Sequence, residues 1–237
     1  MTMSRPAIDT AAMTRVGGQL GTNPAGVFED SAGRRYYVKT LESAAHARNE
    51  WIAAQLYRLA GAPTLNYVAT LAPDQIATEW IALDKKCIAH LDVGERQQAQ
   101  HWFGVHAWIA NWDAAGFHGD NQGVASGRVL TLDVGGALTF RAQGDPKGKA
   151  FGTKVDEIES LRRDDGNPHA LRLFADMTPV EIATAIQVVT RISDQSIRQT
   201  VLKHGGTPNL AEKMIARKAD MARRLVDRFS ARIDSAS

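Results

Sequence analysis

The apolar residues change period partway along the chain, and this limits the folds open to it. Up to about residue 83 the segments are short and alternating, whereas beyond Gly94 apolar residues recur at helical spacing. A period of two lines one face of a strand and a period of 3.6 lines one face of a helix. The chain therefore reads as a small β-rich half followed by a mostly helical half.

Residues 16–41, "VGGQLGTNPAGVFEDSAGRRYYVKTL", hold two β-forming runs around the turn "DSAG". A helix follows over "SAAHARNEWIAAQLYRLAG", with Ser43 as N-cap, Gly61 at the stop position and Pro63 beyond it. Ile52, Leu56 and Leu59 line one side of that helix. "LNYVATL" and "QIATEWIAL" read as two further strands joined by "APDQ". In the second half, "ERQQAQHWFGVHAWIANW" predicts one helix with Trp102, Val105, Ile109 and Trp112 on a common face.

Two long helices are expected to close the chain. The first starts with Thr178 as cap, Pro179 at the first helical position and Glu181 completing a capping box. Its stripe of Ile182, Ile186, Val189, Ile197 and Val201 ends at Gly205-Gly206. The second opens with a capping box from Asn209 to Glu212 and buries Leu210, Met214, Met221, Leu225 and Phe229. The two halves are expected to share one deep cleft. A chain of 237 residues, 44% hydrophobic and 23% charged, can fill a core of that kind without disulfides.

Charge and cysteine content narrow the function classes. With 28 basic and 26 acidic residues the net charge is only +2, so no nucleic-acid partner is expected. The basic helix "EKMIARKADMARRLVDRFSARI" is interrupted by Asp220, Asp227 and Asp234, which favours a solvated surface over a nucleic-acid arm. Cys87 is the only cysteine, and it reads as a small buried residue in a reducing compartment. No apolar run approaches the roughly 20 residues that span a bilayer. Residues 1–15, rich in Ser, Thr and Ala, read as a flexible leader without the apolar core of a secretory signal. A cytoplasmic protein is the expectation, or an effector delivered into a host cell.

The chemistry concentrates in "NWDAAGFHGDNQGVASGRVLTLDVGGAL", residues 111–138. "NQGVA" and "RVLTLD" form a hairpin across the turn "SG", which brings Asn121 and Asp133 together at its open end. Asp113 comes eight residues before Asn121 and can sit beside them as a base. Upstream, Lys39 ends the alternating run "YYVK" after the glycine-rich turn "GGQLGTNPAG". Glycine lets backbone N–H groups approach phosphate oxygens, and a lysine on the adjoining strand suits the same anion. Taken singly, each acid reads as a turn or cap residue and Lys39 as a surface lysine. Together they supply what phosphoryl transfer needs: hard oxygen ligands for Mg2+, a carboxylate near the attacking hydroxyl and a cation for the phosphates.

This ordered pattern resembles the protein-kinase-like superfamily, in particular its atypical branches: HipA-like, actin-fragmin and phosphatidylinositol kinases. The likeness covers residues 16–140. It implies an α+β, two-lobed protein-kinase-like fold, with a β-rich N-lobe over 16–83 and a mainly helical C-lobe over 84–237. It implies ATP and Mg2+ as cofactors and a hydroxyl acceptor on a protein, most naturally serine or threonine, or on a small molecule. By the same likeness Gly18 and Gly21 belong to the phosphate-covering loop. Lys39 binds the α- and β-phosphates and Glu50 pairs with it, Glu42 being the weaker substitute. Asp113 is the catalytic base, Asn121 and Asp133 hold magnesium, and Glu79, Trp80 and Ile81 form the hinge that meets adenine.

The chain departs from the family pattern in places. Seven residues separate Asp113 from Asn121 where a kinase loop has four. "HRD" and "APE" are missing, and the magnesium motif is Asp-Val-Gly. Glu50 also faces away from the Ile52, Leu56 and Leu59 stripe, so its pairing requires a helix packed on both sides. A catalytically inactive pseudokinase that binds nucleotide or protein is the alternative these departures suggest. "HGD" at 118–120 resembles the catalytic motif of aminoglycoside and choline phosphotransferases, making Asp120 a second candidate base. In that family the metal asparagine lies five residues on, where this chain has Ala125. Finally, "TFRAQGDPKGKAFGTK" carries Arg141, Lys147, Lys149 and Lys154, a basic loop suited to an acidic or phosphorylated acceptor.

Overall fold

The computed structural model describes residues 6–21 and 23–234, with side chains to residue 226. Five strands form one antiparallel sheet in the order β1-β2-β3-β5-β4. They are β1 (Thr14–Gly17), β2 (Ala25–Glu29), β3 (Arg35–Thr40), β4 (Tyr67–Val68) and β5 (Gln75–Glu79). Helix α1 (Ala44–Ala60) crosses between β3 and β4. Ser43 Oγ accepts from Ala45 N–H at its start, and Gly61 ends it at φ 78° with Ala62 N–H returning to Tyr57 O.

The sheet has two faces of different use. Tyr36 and Val38 of β3 turn outward and pack with Val68, Ala77, Ile8 and Met13. Tyr37 and Lys39 alternate to the inner face, the side of Ile76 and α1. Covering the outer face accounts for a correction. Residues 6–15 were expected as a flexible leader, yet Ile8 donates to Ala69 O and accepts from Leu71 N–H, and β1 begins at Thr14. An apolar face needs a cover, and Ile8 and Met13 supply it. Residues 1–5 lie outside the described residues.

The second part of the chain is helical apart from one hairpin, β6 (Gln122–Ala125) with β7 (Arg128–Thr131). Ser126 at φ 50° and Gly127 at φ 73° make its two-residue turn. The helices are α2 (Val93–His101), α3 (Phe103–Trp108), α4 (Glu157–Arg163), α5 (Pro168–Phe174), α6 (Pro179–Thr190), α7 (Asp194–Lys203) and α8 (Pro208–Asp234). A continuous core runs from α1 through α3 to α6, α7 and α8.

Three expected helices are cut differently. The tryptophan helix breaks at Trp102 and stops at Trp108, so Trp112 lies beyond it. There α3 presses onto α6, and a Cβ on Gly104 would meet the Ala185 carbonyl oxygen at 2.2 Å. The stripe from Ile182 to Val201 spans two helices, because Ser193 caps a new one by accepting from Ser196 N–H. The last helix is capped by Thr207 Oγ1, which accepts from Leu210 N–H, two residues ahead of the expected Asn209 box. Met214 and Met221 are buried as expected, whereas the expected contact of Phe229 lies outside the described side chains.

One side chain ties α8 to the rest. Arg217, fully buried, donates to the carbonyls of Ala107, Trp108, Gly152 and Lys154 and pairs with Glu157 at 2.7 Å. Glu157 in turn accepts from Trp112 Nε1 at 3.0 Å.

Candidate active site

Lys39, Glu50 and Asp133 come from three elements and meet below the inner face of the sheet. Lys39 Nζ lies 2.5 Å from Glu50 Oε1 and 3.2 Å from Asp133 Oδ2. Glu50 is reachable because α1 is packed on both sides, against the sheet and against α7, so positions outside the Ile52 and Leu56 stripe are buried as well. Tyr67 donates its hydroxyl to Glu50 Oε1 at 3.0 Å. Burial works against the Lys39 charge, but Asp133 and Glu50 outweigh it and raise the pKa above the usual lysine value. Burial pushes Glu50 upward against the pull of Lys39. Glu42, the substitute considered above, is exposed and lies near His46 instead.

Asp133 follows β7, where the hairpin opens. Leu132 N–H donates to Asn121 O at 2.9 Å, which sets Asn121 and Asp133 on adjoining strand ends. The Asp133 carboxylate accepts from Gly135 N–H at 2.8 Å. A Cβ on Gly135 would stand 2.9 Å from Glu50 Oε2, so a larger residue there would push on the carboxylate that holds Lys39.

Asp113 and Asn121 form the second half of the site. Asn121 Nδ2 donates to the Asp113 carbonyl at 2.7 Å and to Asp113 Oδ2 at 3.0 Å. This orients the carboxylate and turns Asn121 Oδ1, which accepts no hydrogen bond among the described residues, to the other side. Burial, joined by the charge of Asp133, raises the Asp113 pKa to about 6; the Asn121 bond opposes the shift and Asp120 adds to it. The seven-residue separation from Asn121 is taken up by a tight loop with Gly116 at φ 87° and Gly119 at φ 76°. Asp120, the other candidate base, is exposed on that loop.

The glycine-rich turn joins β1 to β2. A Cβ on Gly18 or Gly21 would meet nothing within 4 Å, so open space lies before both. Gly17 and Gly26 are the glycines the sheet itself requires, since a Cβ there would strike Val27 and Arg15. Leu20 N–H donates to the Tyr37 hydroxyl at 2.8 Å, and that hydroxyl bonds back to the Leu20 carbonyl. Of the expected hinge residues, Glu79 N–H is held by Asn66 O and Trp80 N–H by Arg35 O, both at 2.9 Å. Ile81 makes no main-chain to main-chain bond among the described residues.

One expected contact residue is elsewhere. Lys147 does not line an open basic loop: it is 4% exposed and points inward under Trp112. Sequence reasoning also missed Tyr37, Tyr67 and Asn49. Asn49 donates to Ala137 O at 2.8 Å and accepts from Thr139 N–H at 3.0 Å, anchoring the chain beyond Asp133. Cys87, expected to be buried, is partly exposed and caps a short turn by accepting from Ala89 N–H. Among the described residues no three His, Cys, Asp or Glu side chains converge. A divalent ion at this site would rest on one carboxylate and one amide oxygen, with water and phosphate oxygens completing its shell, as magnesium prefers.

A five-stranded sheet with one crossing helix and a helical second part make this a two-lobed protein-kinase-like fold. No protein-family model matches the chain, and neither does any curated protein. Among solved structures it is similar to a Helicobacter pylori proinflammatory kinase, CtkA, at 13% identity and TM-score 0.62, over 94% of this chain and 99% of that one. An aminoglycoside phosphotransferase from Alicyclobacillus acidocaldarius subsp. acidocaldarius DSM 446 also aligns, at 15% identity, over 94% and 98% of the two chains. Its TM-score of 0.39 is too low to argue from. No described helix is long and apolar enough to cross a membrane.

Proposed function

We propose that this chain is an ATP-dependent kinase that moves the γ-phosphoryl group to a hydroxyl, the acceptor being a serine or threonine of a protein. The observation that carries this reading is Lys39 held between Glu50 and Asp133, with the Asp113–Asn121 pair close enough for the Asp133 charge to act on Asp113. The likeness in fold to a proinflammatory kinase supports it, as does the donor set for magnesium. Bound Mg2+ would supply charge neutralisation for the triphosphate.

In this reading Lys39 binds the α- and β-phosphates and Glu50 keeps it aimed at them. Asp133 and Asn121 Oδ1 hold the metal. Gly18 and Gly21 leave room for phosphate oxygens to reach backbone N–H groups, and the backbone at Glu79, Trp80 and Ile81 meets the adenine. Asp113 orients the acceptor hydroxyl and takes its proton as the oxygen bonds to phosphorus and the bond to the leaving ADP breaks. A carboxyl with a pKa raised to about 6 is better matched to that proton than an ordinary aspartate, and it is still ionised at neutral pH. The exposure of Asp120 and its lack of a fixed partner in this role favour Asp113 as base. We place the protein in the cytoplasm, its own or that of a host cell.

The test is transfer from radiolabelled ATP in lysate by the purified chain, beside Lys39→Ala and Asp133→Ala. Each variant should lose at least about a hundredfold in rate while keeping its fold. Undiminished transfer by Asp133→Ala would refute the assignment. Label appearing only in a small molecule would refute the protein acceptor.

A further inference from the structure

The fold contains a second buried lysine, and its surroundings differ from those of Lys39. Lys147 Nζ donates to three main-chain carbonyls: Ala110 and Gly136 at 2.7 Å and Leu138 at 3.1 Å. An ammonium has three donors, so its hydrogen-bonding capacity is filled. The indole of Trp112 covers it, with Nζ 4.8 Å from the ring centroid. That indole is itself fixed through Glu157 to Arg217.

The carbonyls it gathers belong to the two segments that carry the site. Ala110 lies three residues before Asp113, and Gly136 and Leu138 lie three and five after Asp133. Ala110 at φ 53° and Leu138 at φ 55° are both fully buried and both left-handed. Besides them, the only non-glycine residue at positive φ among the described residues is Ser126, in the hairpin turn. A left-handed alanine or leucine is strained and persists only where its surroundings hold it. Here the same ammonium donates to the carbonyls of both, while Leu138 N–H donates across the seam to Ile109 O at 2.7 Å. Burial alone would favour a neutral amine and lowers the lysine pKa to about 7, with Glu157 opposing and Arg217 and Arg141 adding to the shift. The three carbonyl acceptors favour the charged form.

Building on the kinase reading, we infer that Lys147 is a positioning residue, a clamp that fastens the segment of the base to the segment of the metal aspartate. It touches neither substrate nor metal. Its ammonium holds two strained backbone turns in the conformation that aims Asp113 and Asp133 into one cleft.

The experiment pairs hydrogen exchange with steady-state kinetics on the full chain. In Lys147→Met the amides of Trp112, Ala137, Leu138 and Thr139 should exchange about tenfold faster or more, while those of the β6–β7 hairpin stay unchanged. For the same variant kcat should fall about a hundredfold with KM for ATP within about threefold, because alignment is lost and nucleotide binding is not. Adding Ala110→Gly to Lys147→Met should recover part of kcat, since glycine keeps the left-handed turn unaided. Unchanged protection in the two segments overturns the clamp. So does faster exchange spread evenly over the helical part, or an unchanged kcat. If Lys147→Met does not fold, Lys147→Gln, which keeps two donors, carries the same measurements. The exchange arm needs no turnover: a wild-type chain that transfers no phosphate defeats the kinase reading and leaves the clamp tested on its own.

Discussion

The two walls of the site, sheet side and helical side, hold their enclosed lysines in opposite ways. On the sheet side Lys39 is balanced by two carboxylates, one of them partly exposed. On the helical side Lys147 is enclosed by three main-chain carbonyl oxygens, of which that of Ala110 also accepts from Trp112 N–H. A carboxylate can change partners when a metal or a phosphate arrives, so the Lys39 arrangement is exchangeable. Backbone carbonyls in a packed core cannot, and that arrangement is fixed. The difference suggests a division of labour in which one wall adapts to the nucleotide and the other keeps the acids in register.

The largest expected effect breaks this division at its centre. Asp113→Asn should lower kcat by about a hundredfold to ten-thousandfold, measured as phosphate transfer at saturating ATP. In the wild type, transfer should fall as pH drops through about 6, where Asp113 takes up a proton. Stability moves the other way. The folded pKa of Asp113 lies above its unfolded value, so the folded state binds more protons between about pH 4 and 6, and stability declines as pH rises through that window. Asp113→Asn should therefore melt higher than wild type at pH 8, and this advantage should vanish near pH 4.

A smaller effect tests the fixed wall through its packing. Gly104→Ala should destabilise the chain by roughly 2 kcal/mol or more, seen as a lower denaturation midpoint, since the new Cβ would meet the Ala185 carbonyl. The exchangeable wall should tolerate more. Glu50→Gln removes one of the two carboxylates at Lys39 and should cost about tenfold in kcat/KM for ATP while leaving Asp133 in contact. The smallest change lies far from both walls: Thr207→Ala should lower stability by about 1 kcal/mol with no change in transfer rate, because only the α8 cap is lost.

How much of this was legible in the sequence depends on how local each signal is. The change of period, the caps at Ser43 and Thr178, and the Ser126-Gly127 hairpin are written in neighbouring residues, and the structure has them. The convergence of Lys39, Asp133, Asn121 and Asp113 was readable because each stands at the end of a local element whose order matched a known pattern. Lys147 was misread as a solvent-facing loop residue. Its partners are main-chain carbonyls, which leave no mark in side-chain types, and one of them lies 37 residues away. The helix breaks at Trp102 and Ser193 were hidden for a related reason, since the apolar stripe continues across both. A stripe records which residues are buried, and two helices packed end to end can bury the same stripe as one. Residues 6–15 were misjudged as a flexible leader because strand propensity says nothing about which face of a sheet lacks a cover.

Arg217 links distant parts of the chain in a way that bears on truncation. Its guanidinium forms the salt bridge to buried Glu157, and it also donates to the carbonyls of Ala107 and Trp108 at the end of α3. Shortening the protein from its far end would already remove buried Met221 and the Asp220 acceptor of Val155 N–H before it reached that side chain. One residue further and an unbalanced acid is left inside, next to the indole that roofs Lys147.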